Sequence, residues 1–161
     1  ATTREVVENL RAEAKRLGID PQRLIFATRL EHDEHIARYQ LADAFLDTHP
    51  YNAHTTASDA LWMGVPMVTL YGNRHAGRMV SSVLKQVGLD ELIAQTPEQF
   101  VEIAARLAQD RPRLTKLRNE LRMRVAHSPL CDSVRFTREL EAAYQTMWQT
   151  WCEQQWQSTG G

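Results

Sequence analysis

The chain has 161 residues, with 19 Lys plus Arg set against 20 Asp plus Glu for a net charge of −1. That length is one domain's worth and allows a sizeable core, while the charge balance argues against a general nucleic-acid or membrane-surface role. No apolar run approaches the roughly 20 residues that span a bilayer, and Cys131 and Cys152 form no paired framework, so reduced thiols and a cytoplasmic location are expected.

In chain order, residues 4–17 read as an amphipathic helix rather than a signal peptide, with Gly18 as its stop and Asp20-Pro21 as the turn. Residues 24–28 read as a strand, 33–42 as a helix, and the short apolar run 44–47 as a buried parallel strand. A helix over 55–63 ends at Gly64-Val65-Pro66, a Gly-then-Pro stop, and 67–71 is the next apolar strand. Residues 78–87 form a helix closed by Gly88. Thr96-Pro97-Glu98 opens another, with Thr at the N-cap and Pro at N1, running to about Ala108. Arg111-Pro112 starts a helix to about Val125, and a last long helix covers about 133–155. Strands alternating with helices predict an α/β fold with a doubly wound parallel sheet, followed by an all-helical C-terminal third.

The stretch 40–72 carries the chemistry. The loop after strand 44–47 lies at the carboxyl end of a parallel strand, where open α/β sheets bind ligands. His54, Thr55, Thr56 and Asp59 gather there at the start of a helix. A helix N-terminus offers unpaired N–H groups and a positive dipole end, so a nucleotide diphosphate is the leading ligand. The competing reading is that Thr56 and Asp59 form a capping box and only cap the helix. It leaves two consecutive threonines after a histidine unexplained, and a capped end still points N–H groups outward. Asp47 and Asn52 flank the site, and turn chemistry accounts for them.

Three other features have ordinary readings. His32 and His35 share a helical face, but zinc needs three or four ligands and no matching pair has recognisable spacing, so no metal is expected. Residues 31–38 otherwise read as an exposed helix start with acids at its positive end. The loop 72–78 carries glycines but is no GxGxxG motif, and reads as a plain βα loop. Tyr144, Met147, Trp148 and Trp151 recur at 3–4-residue steps, with Trp156 further on, a stripe that usually faces a core.

The string QLAD…LDT…N-x-HTT-x-x-D-x-LW-x-G-x-PMVT resembles the C-terminal catalytic lobe of the O-GlcNAc transferase/SPINDLY family of glycosyltransferases. The resemblance continues through RLIF at 23–26, EHIARYQLAD at 34–43, ELIA at 91–94, SPL at 128–130 and YQTMW at 144–148. It implies a Rossmann-like lobe of a GT-B enzyme over residues 1–157, with 158–161 as tail or linker, and a short strand at 92–94 that propensity leaves undecided. It also implies a preceding strand–helix–strand unit, a second, N-terminal lobe and often tetratricopeptide repeats, none of which this sequence contains; no internal period of about 34 residues is found.

Residue by residue, the resemblance implies that His54, Thr55 and Thr56 contact the donor's diphosphate and that Asp59 reaches the ribose hydroxyls. His35 and Arg38 match positions that hold the base, and Leu30 a backbone position that reads its edge. His32 departs from the pattern, which often has lysine, and is kept as a minor contact, as is Arg78 at the head of the next helix. Arg74 and His75 depart from the pattern and receive no role. The final helix would cross onto the other lobe, turning part of the aromatic stripe into docking surface. The implied reaction is inverting transfer of GlcNAc from UDP-GlcNAc to a protein Ser or Thr, without a metal cofactor, since no Asp-x-Asp pair lies near the phosphate loop. No catalytic base is found here, and the segment alone is expected to be inactive. A SPINDLY-like GDP-fucose protein O-fucosyltransferase and a non-catalytic scaffold are the alternatives.

Overall fold

The computed structural model describes residues 3–159, with side chains to Gln155. The chain divides into two compact units, one ending at Arg38 and one beginning at Tyr39.

In the first unit, α1 (Arg4–Arg16) starts at Thr3, whose hydroxyl accepts the Val6 N–H. It ends with the Ile19 N–H bonding back to the Ala14 carbonyl at 2.9 Å. Asp20 caps the turn Pro21–Arg23 by accepting the Gln22 N–H at 2.9 Å. The strand expected at 24–28 does not form. A strand exists only through a partner that pairs its N–H and C=O groups, and this unit supplies none among its described residues; Ile25 is 89% exposed. α2 (His32–Ala37) is shorter than the helix expected over 33–42, because its last residues tighten into a 3-10 turn, Arg38–Leu41.

The second unit alternates strand and helix: β1 (Phe45–Leu46), α3 (Thr55–Trp62), β2 (Met67–Leu70), α4 (Met79–Gln86), β3 (Ile93–Ala94), α5 (Pro97–Gln109), α6 (Arg111–Ala126) and α7 (Ser133–Thr159). All pairing is parallel in the order β1-β2-β3, with Phe45 opposite Met67 and Thr69 opposite Ile93. Among the described residues the three strands advance in one direction, and the reversal of a doubly wound sheet would need a further strand beyond β1. α3, α4 and α5 pack on β2, α5 also on β3, and α6 packs on α3 and α5. The core between them holds Leu61, Met67, Val68, Val80, Leu84 and Leu121, all buried. The caps expected of α5 are present, with Thr96 accepting the Gln99 N–H at 3.3 Å and Pro97 at N1.

Gly64 ends α3 with φ +80°, and a Cβ there would lie 2.8 Å from the Arg118 carbonyl oxygen of α6. Gly88 has φ +69° but open space around it. Both replacements by alanine incur the left-handed penalty of about 1–2 kcal/mol, and Gly64→Ala adds an overpacking term of about 1–3 kcal/mol. Urea denaturation is therefore expected to show Gly64→Ala clearly less stable than Gly88→Ala; equal losses would mean that α6 yields freely.

The aromatic stripe does not face a core. Tyr144, Met147, Trp148 and Trp151 on α7 are 61%, 66%, 64% and 49% exposed. Trp148 and Trp151 stack on each other at 5.1 Å. No described element of the unit is placed over them, and the Trp156 side chain lies outside the described residues. The helix expected to stop near Gln155 runs to Thr159, which takes in the first two residues of the expected tail, while Gly160 and Gly161 are outside the described residues.

Candidate functional site: the β1–α3 loop and the amino end of α3

The site grows out of the end of β1. The Asp47 N–H continues the ladder to the Val68 carbonyl at 3.0 Å, and its side chain turns inward, 9% exposed. Its Oδ1 accepts the N–H groups of Thr48 at 2.9 Å and Ala53 at 2.8 Å, and its Oδ2 accepts the Thr69 hydroxyl of β2 at 2.6 Å. Between those anchors the Thr48 hydroxyl donates to the Tyr51 carbonyl at 2.6 Å. Asn52 donates its Nδ2 to the Thr48 carbonyl and its N–H to the Ala76 carbonyl, each at 3.0 Å. Turn chemistry covers Asn52 in part; Asp47 goes further, because one of its oxygens reaches a neighbouring strand.

His54 is the N-cap residue, with φ −117° and ψ −94°, and its carbonyl accepts the Ala57 N–H at 3.0 Å. Its ring lies over Tyr51 with centroids 5.0 Å apart and planes 12° off parallel. The His54 Nε2 and the Asn52 Oδ1 are both buried without a hydrogen-bond partner among the described residues. Thr55 and Thr56 follow as the first two helical residues and are exposed. No side chain caps α3. The capping-box reading therefore fails in its particulars: Thr56 stands inside the helix rather than at its cap, and Asp59 lies too far along to answer it. The first amides of α3 and both threonine hydroxyls are without partners among the described residues, at the positive end of the helix. Asp59, half-buried, sits one turn along on the same face. His54, Thr55, Thr56 and Asp59 are thus brought together.

The β2–α4 loop lies against this one. The Gly72 N–H bonds the Gly77 carbonyl at 2.8 Å. A Cβ on Gly72 would come within 2.9 Å of that carbonyl, and one on Gly77 within 3.1 Å of the Pro50 oxygen. Only glycine lets these backbones approach so closely. A cavity of about 440 Å³ opens between the loops, lined by His49, Tyr51, Asn73 and Arg74 among others. Of these, Arg74 receives no role from the sequence because it departs from the family pattern, and Tyr51 goes unnoticed there, since a side chain in an irregular loop carries no periodic signal. Arg78 is exposed at the head of α4, beside a second cavity of about 320 Å³ that Tyr71, His75 and Lys85 also line.

In the first unit the Arg38 guanidinium donates to the Thr28 carbonyl at 2.9 Å and to the His35 Nδ1 at 2.6 Å. A guanidinium has only donors, so Nδ1 is the acceptor and the His35 proton is assigned to Nε2. Leu30 is 38% exposed, and His32 is the exposed first residue of α2. Among the described residues no group of three or more His, Cys, Asp or Glu side chains is placed to hold a metal ion, and no helix is long and apolar enough to cross a membrane.

Residues 4–140 match the family model described as glycosyl transferase family 41. The probable UDP-N-acetylglucosamine–peptide N-acetylglucosaminyltransferase SPINDLY of Petunia hybrida is 45% identical over 141 residues, 86% of this chain and 15% of the relative. The UDP-N-acetylglucosamine–peptide N-acetylglucosaminyltransferase of Caenorhabditis elegans is 38% identical over 88% of this chain and 12% of its own length. The solved structure of a mutant Thermobaculum terrenum O-GlcNAc transferase superposes with a TM-score of 0.86 at 38% identity, over 94% of this chain and 29% of that one. The chain spans 15% of the length of the plant relatives it matches. With most of its residues inside the family model, the chain belongs to glycosyl transferase family 41.

Proposed function

We propose that this chain is the nucleotide-sugar-binding part of an inverting glycosyltransferase of GT-B, doubly wound architecture, which moves GlcNAc from UDP-GlcNAc to a Ser or Thr hydroxyl of an acceptor protein. The observation that carries this reading is the uncapped amino end of α3, where Thr55 and Thr56 present free N–H and hydroxyl groups beside His54. As the sugar leaves, negative charge builds on the diphosphate. Donors fixed in place before the reaction stabilise that charge without reorganising, so the diphosphate needs no metal cofactor in this reading. Asp59 would take the ribose hydroxyls, and Leu30, His35 and Arg38 the base. His32 and Arg78 remain minor contacts. No catalytic base is assigned among these residues, and the acceptor's proton would pass to groups of an N-terminal catalytic lobe, with tetratricopeptide repeats further upstream in the parent protein. The exposed stripe of α7 would dock on that lobe. The cytoplasm suits Cys131 and Cys152, which are free thiols. Neither nucleic acid nor a membrane enters the reading.

Calorimetric titration of the chain with UDP and with GDP tests it. UDP is expected to bind more tightly than GDP by at least about tenfold, or about 1.4 kcal/mol. The reverse order would assign a GDP-sugar donor such as GDP-fucose, and binding of neither would favour a scaffold.

A further inference from the structure

The β1–α3 loop holds a carboxylate to which neither the motif nor the comparisons give a task. Asp47 is 9% exposed, and its partners among the described residues are neutral donors rather than cations. Taking an acid out of water is unfavourable unless its oxygens are met, and here all three contacts are donors: the N–H groups of Thr48 and Ala53 and the hydroxyl of Thr69. A turn alone would use only the first of these. The second closes the loop on itself, because Oδ1 holds residues 48 and 53 at 2.9 and 2.8 Å simultaneously. The third fixes the closed loop to the buried centre of β2. Ala53 is the residue directly before His54, so the carboxylate grips the chain one step ahead of the α3 amino end. The two unpartnered buried atoms, Asn52 Oδ1 and His54 Nε2, flank that same grip.

We propose that Asp47 is a positioning residue for the diphosphate site, setting through Ala53 the place of the His54 ring and of the first free N–H groups of α3. The inference rests on the nucleotide reading given above and deepens it. A group that only stabilised the fold would lower the melting temperature and leave the affinity of the folded molecules intact. A positioning group changes affinity below the melting transition, and does so through its neighbour.

The test is UDP titration of Asp47→Ala, Asp47→Asn, His54→Ala and the Asp47→Ala/His54→Ala pair, well below each melting temperature. Asp47→Ala is expected to weaken UDP by about tenfold. Asp47→Asn should recover most of the loss, because its amide oxygen still accepts both N–H groups and its NH₂ can face the Thr69 hydroxyl. The double variant should lose less than the product of the two single losses, as coupled neighbours do. Wild-type affinity in a folded Asp47→Ala, or two losses that multiply in full, would overturn the proposal. If Asp47→Ala does not fold, Thr69→Val decides: it frees Oδ2 alone and is expected to weaken UDP about threefold, and an unchanged Kd refutes the role. If the wild-type chain binds neither UDP nor GDP, the nucleotide reading fails by itself. Ring-to-ring NMR contacts between Tyr51 and His54 then judge the positioning, which falls if they persist unchanged in Asp47→Ala.

Discussion

Replacing Thr56 by Ala in the intact protein is expected to slow sugar transfer by about 10²–10³, the usual effect of removing one donor aimed at developing charge. The fold should barely register it. Thr56 is exposed, α3 has no side-chain cap, and the hydroxyl bonds to nothing among the described residues, so the loss of about 0.5–2 kcal/mol that follows removal of a real cap does not apply. Alanine also has the better helix propensity. The stability change should stay within about 0.5 kcal/mol, as for other surface substitutions. Steady-state kinetics beside a thermal melt checks both halves. An active variant would refute the phosphate role; an inactive but strongly destabilised one would return Thr56 to a structural part.

Leu61→Ala on the opposite face of the same helix is expected to do the reverse. Leu61 is 1% exposed and belongs to the cluster with Met67, Val68 and Leu121. Truncation removes its burial and leaves a cavity, for a loss of about 2–5 kcal/mol. Its side chain points away from the exposed threonines, so the folded fraction should keep its UDP affinity within about twofold, far short of the 1.4 kcal/mol per tenfold that a lost contact produces. Denaturation in urea with and without UDP measures both quantities. Loss of affinity in fully folded Leu61→Ala would mean that the packing of α3 sets the phosphate geometry directly.

The contrast between the two faces explains what could be read in advance. Residues 55–63 announce themselves because a helix buries Ala57, Ala60 and Leu61 at helical spacing and closes at Gly64. The strands at 45–46, 67–70 and 93–94 were legible as short apolar runs or by family pattern, since their neighbours lie within the same unit. Residues 24–28 have the same local look, but a strand is completed by its partner and not by its own residues. The aromatic stripe has two readings, core-facing from its spacing and partly uncovered from the resemblance, and the exposure of Tyr144, Trp148 and Trp151 agrees with the second. Periodicity says that a helix has an apolar face, and is silent about what covers it. Thr55, Thr56 and His54 stood out because three such groups at a helix start are chemically unusual. Asp47 did not, since a single carboxylate after a strand looks like any turn residue until its hydrogen bonds are traced to Thr69 and Ala53.

The exposure of α7 also decides what light the molecule emits. Three of its four tryptophans, Trp62, Trp148 and Trp151, are between 39% and 64% exposed, and Trp148 and Trp151 lie ring on ring. An indole in contact with water emits at longer wavelength than one in an apolar interior, so native emission should already be red-shifted. Unfolding the sheet would then move it little, and a fluorescence melt would understate the transition that far-UV circular dichroism records. The same property makes the indoles of α7 an optical probe of their own surroundings: whatever protein surface comes to cover that helix should shift the emission to the blue in proportion to the rings it dries.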